Sequence, residues 1–160
     1  MGRVCVEKAI MEKTPITICL FDIDHFKNYN DMNGHQAGDR LLVELSGLLT
    51  RLSRKSSVVA RFGGEEFIVL LSDITKQDAF VYAERVRKEI ESYPFLHGEK
   101  QPLGCISLSG GLAGFPNDSG SIDKVIDLAD KALYKAKADG RNRILEYSTS
   151  SNGSLKTLVA

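Results

Sequence analysis

The spacing of apolar residues changes kind several times along the chain, and each change predicts an element. TPITICLFDI, residues 14–23, is a short apolar run rich in β-branched residues and reads as a buried strand. GDRLLVELSGLLTRL, 38–52, places apolar residues at helical spacing and predicts an amphipathic helix. SSVVARF and EEFIVLL, 56–62 and 65–71, predict a β-hairpin joined at Gly63-Gly64, a pair suited to the positive φ of tight turns. TKQDAFVYAERVRKEIES, 75–92, returns to helical spacing, with Thr75 as N-cap and Pro94 just past its end. CISLSGGLAG, 105–114, predicts another strand, weakened by its paired glycines. SIDKVIDLADKALYKAKADG, 121–140, predicts a helix capped by Ser121 and stopped by Gly140, and NRILEY, 142–147, a last short strand.

This order predicts an α+β fold of ferredoxin-like or palm type: a sheet with helices packed mainly on one face, and a hairpin carrying the two glycines. The 160 residues fit one domain over 1–147, with no internal repeat, and a polar tail, STSSNGS, opens a flexible segment over 148–160. A domain of this size buries roughly 70% of its unfolded surface, so a real core is expected.

The 21 basic and 21 acidic residues cancel, which removes the electrostatic footprint of a protein gripping nucleic acid. Cys5, Cys19 and Cys105 are odd in number and lack metal-ligand spacing, as expected of reduced thiols in a cytoplasmic protein. The longest apolar runs fall far short of the roughly 20 residues that span a bilayer, and no signal-peptide pattern opens the chain, so this segment is expected to be soluble and to make no membrane contact.

The candidate chemistry lies in RFGGEEFIVLL, 61–71, where Glu65 and Glu66 stand at the mouth of a strand, and in FDIDHFKNYNDMNGHQAGD, 21–39. Asp22 and Asp24 share a strand face. If that strand lies beside the hairpin, Asp22 meets Glu65 across about 4.8 Å, and carboxylates that close repel unless a cation sits between them. Asp22, Glu65 and the Ile23 carbonyl would suit magnesium, while Gly63 and Gly64 would let a nucleotide approach the backbone. On spacing alone, a metal–nucleotide site and a solvated structural turn both stay open.

Three ordered blocks resemble the GGDEF family of diguanylate cyclases: GGEEF, a variant of the family's name motif; FDIDHFKNYNDMNGHQAGDRLL, which follows D-x-D-x-F-K-x-x-N-D-x-x-G-H-x-x-G-D; and ADKALYKAKADGRNR, similar to its closing helix and strand. The resemblance implies condensation of two GTP molecules into cyclic di-GMP with loss of pyrophosphate, each subunit of an antiparallel homodimer presenting one GTP to the other. It implies two magnesium ions per site, with manganese as an alternative, held by Asp22, the Ile23 carbonyl and Glu65, and Glu66 as a supporting carboxylate or base. Asn30 and Asp39 would read guanine, although Asp39 also suits the N-cap of the following helix. His35 fits either a substrate contact or a structural hydrogen bond. Lys27, Lys137 and Arg141 match positions that contact triphosphate oxygens, whereas Lys131 and Lys135 read as solvated charges.

The chain also departs from the pattern. The family's inhibitory R-x-x-D is RKSS here, keeping Arg54 but placing Ser57 where the aspartate stands, and Arg85 matches a secondary arginine of that site. Product inhibition is therefore expected to weaken. Gly110 stands where the family has a large aliphatic residue. The leading D-x-L-T motif is absent, so the chain reads as an N-terminally truncated catalytic domain without its sensory or receiver partner, which leaves a membrane anchor elsewhere in the full-length protein open. Two other readings remain at this level. One is a catalytically silent receptor for GTP or cyclic di-GMP. The other is an RRM-like RNA binder, which would need exposed aromatics and a basic face that the predicted strands do not supply.

Overall fold

A computed structural model describes residues 14–148. Cys5 and all but the first residue of the expected tail lie outside them. In chain order the elements are β1 (Ile16–Ile23), α1 (Phe26–Asn33), α2 (His35–Leu52), β2 (Val58–Gly63), β3 (Glu66–Ser72), α3 (Lys76–Ser92), β4 (Leu108–Phe115), α4 (Ile122–Ala138) and β5 (Ile144–Glu146), with one 3-10 turn at Gly98–Lys100. The strands form one sheet ordered β2-β3-β1-β4-β5. The pairs β2–β3, β3–β1 and β1–β4 are antiparallel, and β4–β5 is parallel.

Alternation along β1 sorts two cores. Cys19, Phe21 and Ile23 join Phe67, Val69 and Leu71 of β3 under α1, α2 and α3. Ile16, Ile18 and Leu20 join Ile68 beneath Val125, Ala129 and Leu133 of α4. The sheet is thus covered on both faces, by α1, α2 and α3 on one and by α4 alone on the other, in keeping with the expectation of helices mainly on one. Both faces of β1 are apolar, and a strand buried at the sheet centre must be sealed on each side.

Local chemistry accounts for most boundaries. The Thr75 hydroxyl accepts the Asp78 amide N–H at 3.1 Å and caps α3. Gly64 takes φ +35 in the two-residue turn between β2 and β3, next to a bulge at Arg61–Gly63. Helix α1 was not expected from its polar sequence; it is anchored by buried Phe26 and Tyr29, whose hydroxyl donates to Leu96 O at 2.9 Å. Helix α2 begins at His35 after Gly34, so Asp39 lies inside it and is not its N-cap.

The two glycines of β4 are both filled positions. A Cβ on Gly110 would lie 2.6 Å from Ile144 Cδ1 and 2.9 Å from Phe21 Cδ1, so those side chains occupy the space a larger residue would take and no cavity results. A Cβ on Gly111 would overlap the α4 backbone at Ala129 and Leu133, which is how closely that helix seats on the sheet.

Candidate active site

The end of β1 carries the first half of the site. Asp22 is buried, and its register partner in β3 is Glu66, not Glu65 as spacing suggested. Glu65 falls in the turn, where its carbonyl accepts the Ile23 N–H at 3.4 Å. Both glutamates still bear on Asp22. Burial pushes its carboxyl up to about 6; Lys137, whose Nζ sits 2.7 Å from Asp22 Oδ2, pulls it down, and Glu65 and Glu66 push it further up. Asp24 does not join this cluster. It lies just past β1, where its buried carboxylate accepts Ser107 Oγ and Ser109 Oγ, each at 2.7 Å, and the Asn142 N–H at 2.9 Å.

The second half is a cleft of about 530 Å³ on the α1–α2 side. Lys27, Asn30, His35, Asp39, Gly64 and Glu65 line it, together with Arg61. Asn30 Oδ1 is buried and has no hydrogen-bond partner. It faces α2 where residue 38 is glycine, and a Cβ at that position would overlap this oxygen. A buried amide acceptor held open in this way is costly unless something from outside donates to it. Asp39 is an exposed carboxylate lining the same cleft as Asn30.

Gly63, Glu66, Asp22, Lys137 and Arg141 do not line this cleft. The turn between β2 and β3 lies between the two groups, with Gly63 paired to Glu66 and Gly64 on the cleft. Arg61 is a residue the sequence reading missed: its Nε donates to Gly64 O at 2.8 Å and its Nη2 reaches the same oxygen, fastening the turn. Its position three residues before a turn carbonyl was the available signal. Arg54 and Arg85 line a separate cavity of about 320 Å³ with Asp78 and Tyr82. Arg85 is partly committed, donating to Leu52 O at 2.9 Å and lying over the Tyr82 ring. Ser57 lines a neighbouring groove with Arg54, and its N–H donates to Arg54 O at 2.9 Å.

Among the described residues, no three His, Cys, Asp or Glu side chains stand close enough to cage a metal. Asp22, Glu65 and the Ile23 carbonyl offer an incomplete set of hard oxygen donors. Magnesium accepts such a set, because waters and substrate phosphates complete its octahedron. The buried Asp22 carboxylate, already paired with one ammonium, fits a cationic occupant.

The sequence profile described as "Diguanylate cyclase, GGDEF domain" matches residues 5–143. Diguanylate cyclase A of Treponema denticola is 39% identical over 133 residues, 83% of this chain and 35% of that protein. Diguanylate cyclase DgcP of Pseudomonas aeruginosa is 42% identical over 130 residues, 81% of this chain and 19% of that protein. The chain thus spans about a third or less of the curated relatives it matches. Among solved structures, the active GGEEF domain of a diguanylate cyclase from Vibrio cholerae superimposes with TM-score 0.82 at 32% identity, covering 92% of each chain. The GGDEF domain of DgcB from Caulobacter crescentus, in complex with c-di-GMP, gives 0.79 at 33% identity, covering 90% of this chain and 84% of that one. With the profile matched across most of its length and the α+β palm-like sheet shared with these structures, the chain belongs to the GGDEF domain family of diguanylate cyclases.

Proposed function

We propose that this chain is the catalytic domain of a cytoplasmic diguanylate cyclase that condenses two GTP molecules into cyclic di-GMP and releases two pyrophosphates. The unpartnered Asn30 Oδ1, beside Asp39 in a cleft that ends at Glu65, carries the reading. Guanine presents the N1–H and the 2-amino group side by side, matching two acceptors; adenine lacks that pattern, and sites that read polar edges discriminate strongly.

From the cleft the triphosphate would run over the Gly63-Gly64 turn toward Lys137 and Arg141, with Lys27 supplying a further positive charge. Asp22, Glu65 and the Ile23 carbonyl would hold two magnesium ions, or manganese in their place. When bound, these ions lower the pKa of the attacking hydroxyl and stabilise the leaving pyrophosphate. Each 3'-hydroxyl oxygen forms a bond to the α-phosphorus of the other GTP as the bond to pyrophosphate breaks. Glu66, whose register partner is Asp22, would support the metal site or take the released proton. His35, on the cleft wall, would contact the nucleoside.

One domain orients one GTP, so the reaction requires two copies facing each other, and sensory or receiver segments elsewhere in the protein would control that encounter. The experiment is conversion of GTP to cyclic di-GMP with and without magnesium, followed against protein concentration. Magnesium-dependent product whose specific rate rises with concentration supports the proposal; tight GTP binding without turnover at any concentration replaces the cyclase with a receptor.

A further inference from the structure

The turn after α4 holds a conformation that its own residues do not favour. Gly140, Arg141 and Asn142 take φ of +114, +64 and +45 in succession. Only the first lacks a Cβ, and left-handed backbone at other residues persists where the surroundings over-determine it.

Two separate parts of the fold do so here, and both act on Asn142. From the sheet, Asp24 takes the Asn142 backbone N–H at 2.9 Å, while Ser107 and Ser109 of the β4 region fix the same carboxylate. From α3, Glu91 Oε1 accepts Asn142 Nδ2 at 2.7 Å, and Arg87 Nη1 donates to Asn142 Oδ1 at 2.9 Å. Arg87 also bridges to Glu91 Oε2 at 2.9 Å and to both oxygens of Glu84 at 3.2 Å. The Asn142 bond, ahead of Arg87, holds the Glu91 carboxyl below the usual carboxylate range, although burial acts against it. The next residue is tied as well, with Arg143 O accepting the Gly110 N–H at 2.9 Å.

The guanidinium of Arg141 stands apart from all of this and makes no hydrogen bond among the described residues. The fixed backbone sets where the Arg141 side chain begins, and so the region its guanidinium can reach. We propose that Asn142, held between Asp24 and the Arg87–Glu91 pair, is a positioning residue that sets the direction of the Arg141 guanidinium toward the substrate triphosphate. The inference rests on the assignment of Arg141 to phosphate made above. It makes α3, which supplies no residue to the nucleotide cleft, a determinant of nucleotide affinity.

The test uses 3'-deoxy-GTP with magnesium, which lacks the attacking hydroxyl and reports binding whether or not the chain turns over. Calorimetric affinity is measured for the parent, Asn142→Ala, Glu91→Ala, Glu91→Gln, Arg141→Ala and the Asn142→Ala/Arg141→Ala pair, with thermal melts establishing that each is folded. Asn142→Ala and Glu91→Ala should each weaken binding about tenfold. Glu91→Gln, which keeps an acceptor for Asn142, should recover most of that loss. In the Arg141→Ala background, Asn142→Ala should add nothing, since its effect passes through that guanidinium. Folded Asn142→Ala and Glu91→Ala with parental affinity overturn the inference, as do losses that multiply in the double variant. If Arg141→Ala alone leaves affinity unchanged, the phosphate assignment is what fails, and that outcome is distinct from the others.

Discussion

Lys137 Nζ lies 2.7 Å from Asp22 Oδ2, so the carboxylate at the end of β1 is met by one helical ammonium. Burial and the two neighbouring glutamates outweigh that cation and leave the Asp22 carboxyl near 6, above its ordinary value near 4. Between about pH 4 and 6 the folded protein therefore holds a proton that the unfolded chain has released. Its stability falls as pH rises through this window, in the absence of metal. Denaturant titrations from pH 4 to 7 should show this fall in the parent relative to Asp22→Asn, which cannot ionise. A difference independent of pH removes the raised carboxyl.

Glu65→Gln keeps the shape of the turn and removes its charge. Cyclase turnover should drop by at least about a thousandfold, because transition-state charge stabilisation of several kcal/mol is at stake, while the melting temperature stays within a few degrees. Initial rates across a magnesium titration measure this; a parental rate with parental magnesium dependence takes Glu65 out of the mechanism.

Gly38→Ala places a methyl where Asn30 Oδ1 now sits. The amide must move off the cleft wall, and GTP affinity should fall by about tenfold, with a stability loss of about 1–3 kcal/mol from overpacking. The preference for GTP over ATP should narrow with it. Competition binding of the two nucleotides to parent and variant reads both effects, and an unchanged preference in a folded variant disconnects Asn30 from base recognition.

Ser57 offers no charge to a guanine edge, so cyclic di-GMP should bind the Arg54 region weakly. Ser57→Asp should tighten it by about ten- to a hundredfold, the worth of one charged hydrogen bond of about 1.5–3 kcal/mol. Calorimetric titration of cyclic di-GMP into both proteins settles it: tight binding by the parent that the variant does not improve makes position 57 irrelevant.

Gly110→Val should destabilise the fold. Phe21 and Ile144 already fill the space, and overpacking costs about 1–3 kcal/mol. Urea melts give the sign directly; a gain in stability shows that those side chains repack freely.

Most of the sheet and the three longer helices could be read from the pattern of apolar residues, because α2 to α4 each bury a regular stripe and β1 and β3 are short, nearly continuous apolar runs. Helix α1 could not: FKNYNDMN is polar, and what holds it is the Tyr29 bond to Leu96, 67 residues away. The cleft residues Asn30, His35 and Asp39 were legible through the motif, yet the unpartnered state of Asn30 Oδ1 depends on Gly38 facing it across a helix pair. Register was beyond reach as well. Spacing could not decide that Asp22 opposes Glu66, since that depends on where the turn places Glu65. Asp24 misled for a related reason: i, i+2 spacing gives a shared direction, but not the serines and the Asn142 amide that claim its oxygens.

Gly111 acts as a depth gauge for the Lys137–Asp22 ion pair near the far end of α4. Hydrogen alone separates β4 from the helix at Ala129 and Leu133, so the height at which Lys137 meets Asp22 is fixed by backbone touching backbone rather than by compressible side chains. Active groups tolerate displacements of only about 0.5 Å. A single methyl at 111 would push against that backbone and shift the pair without altering either of its residues.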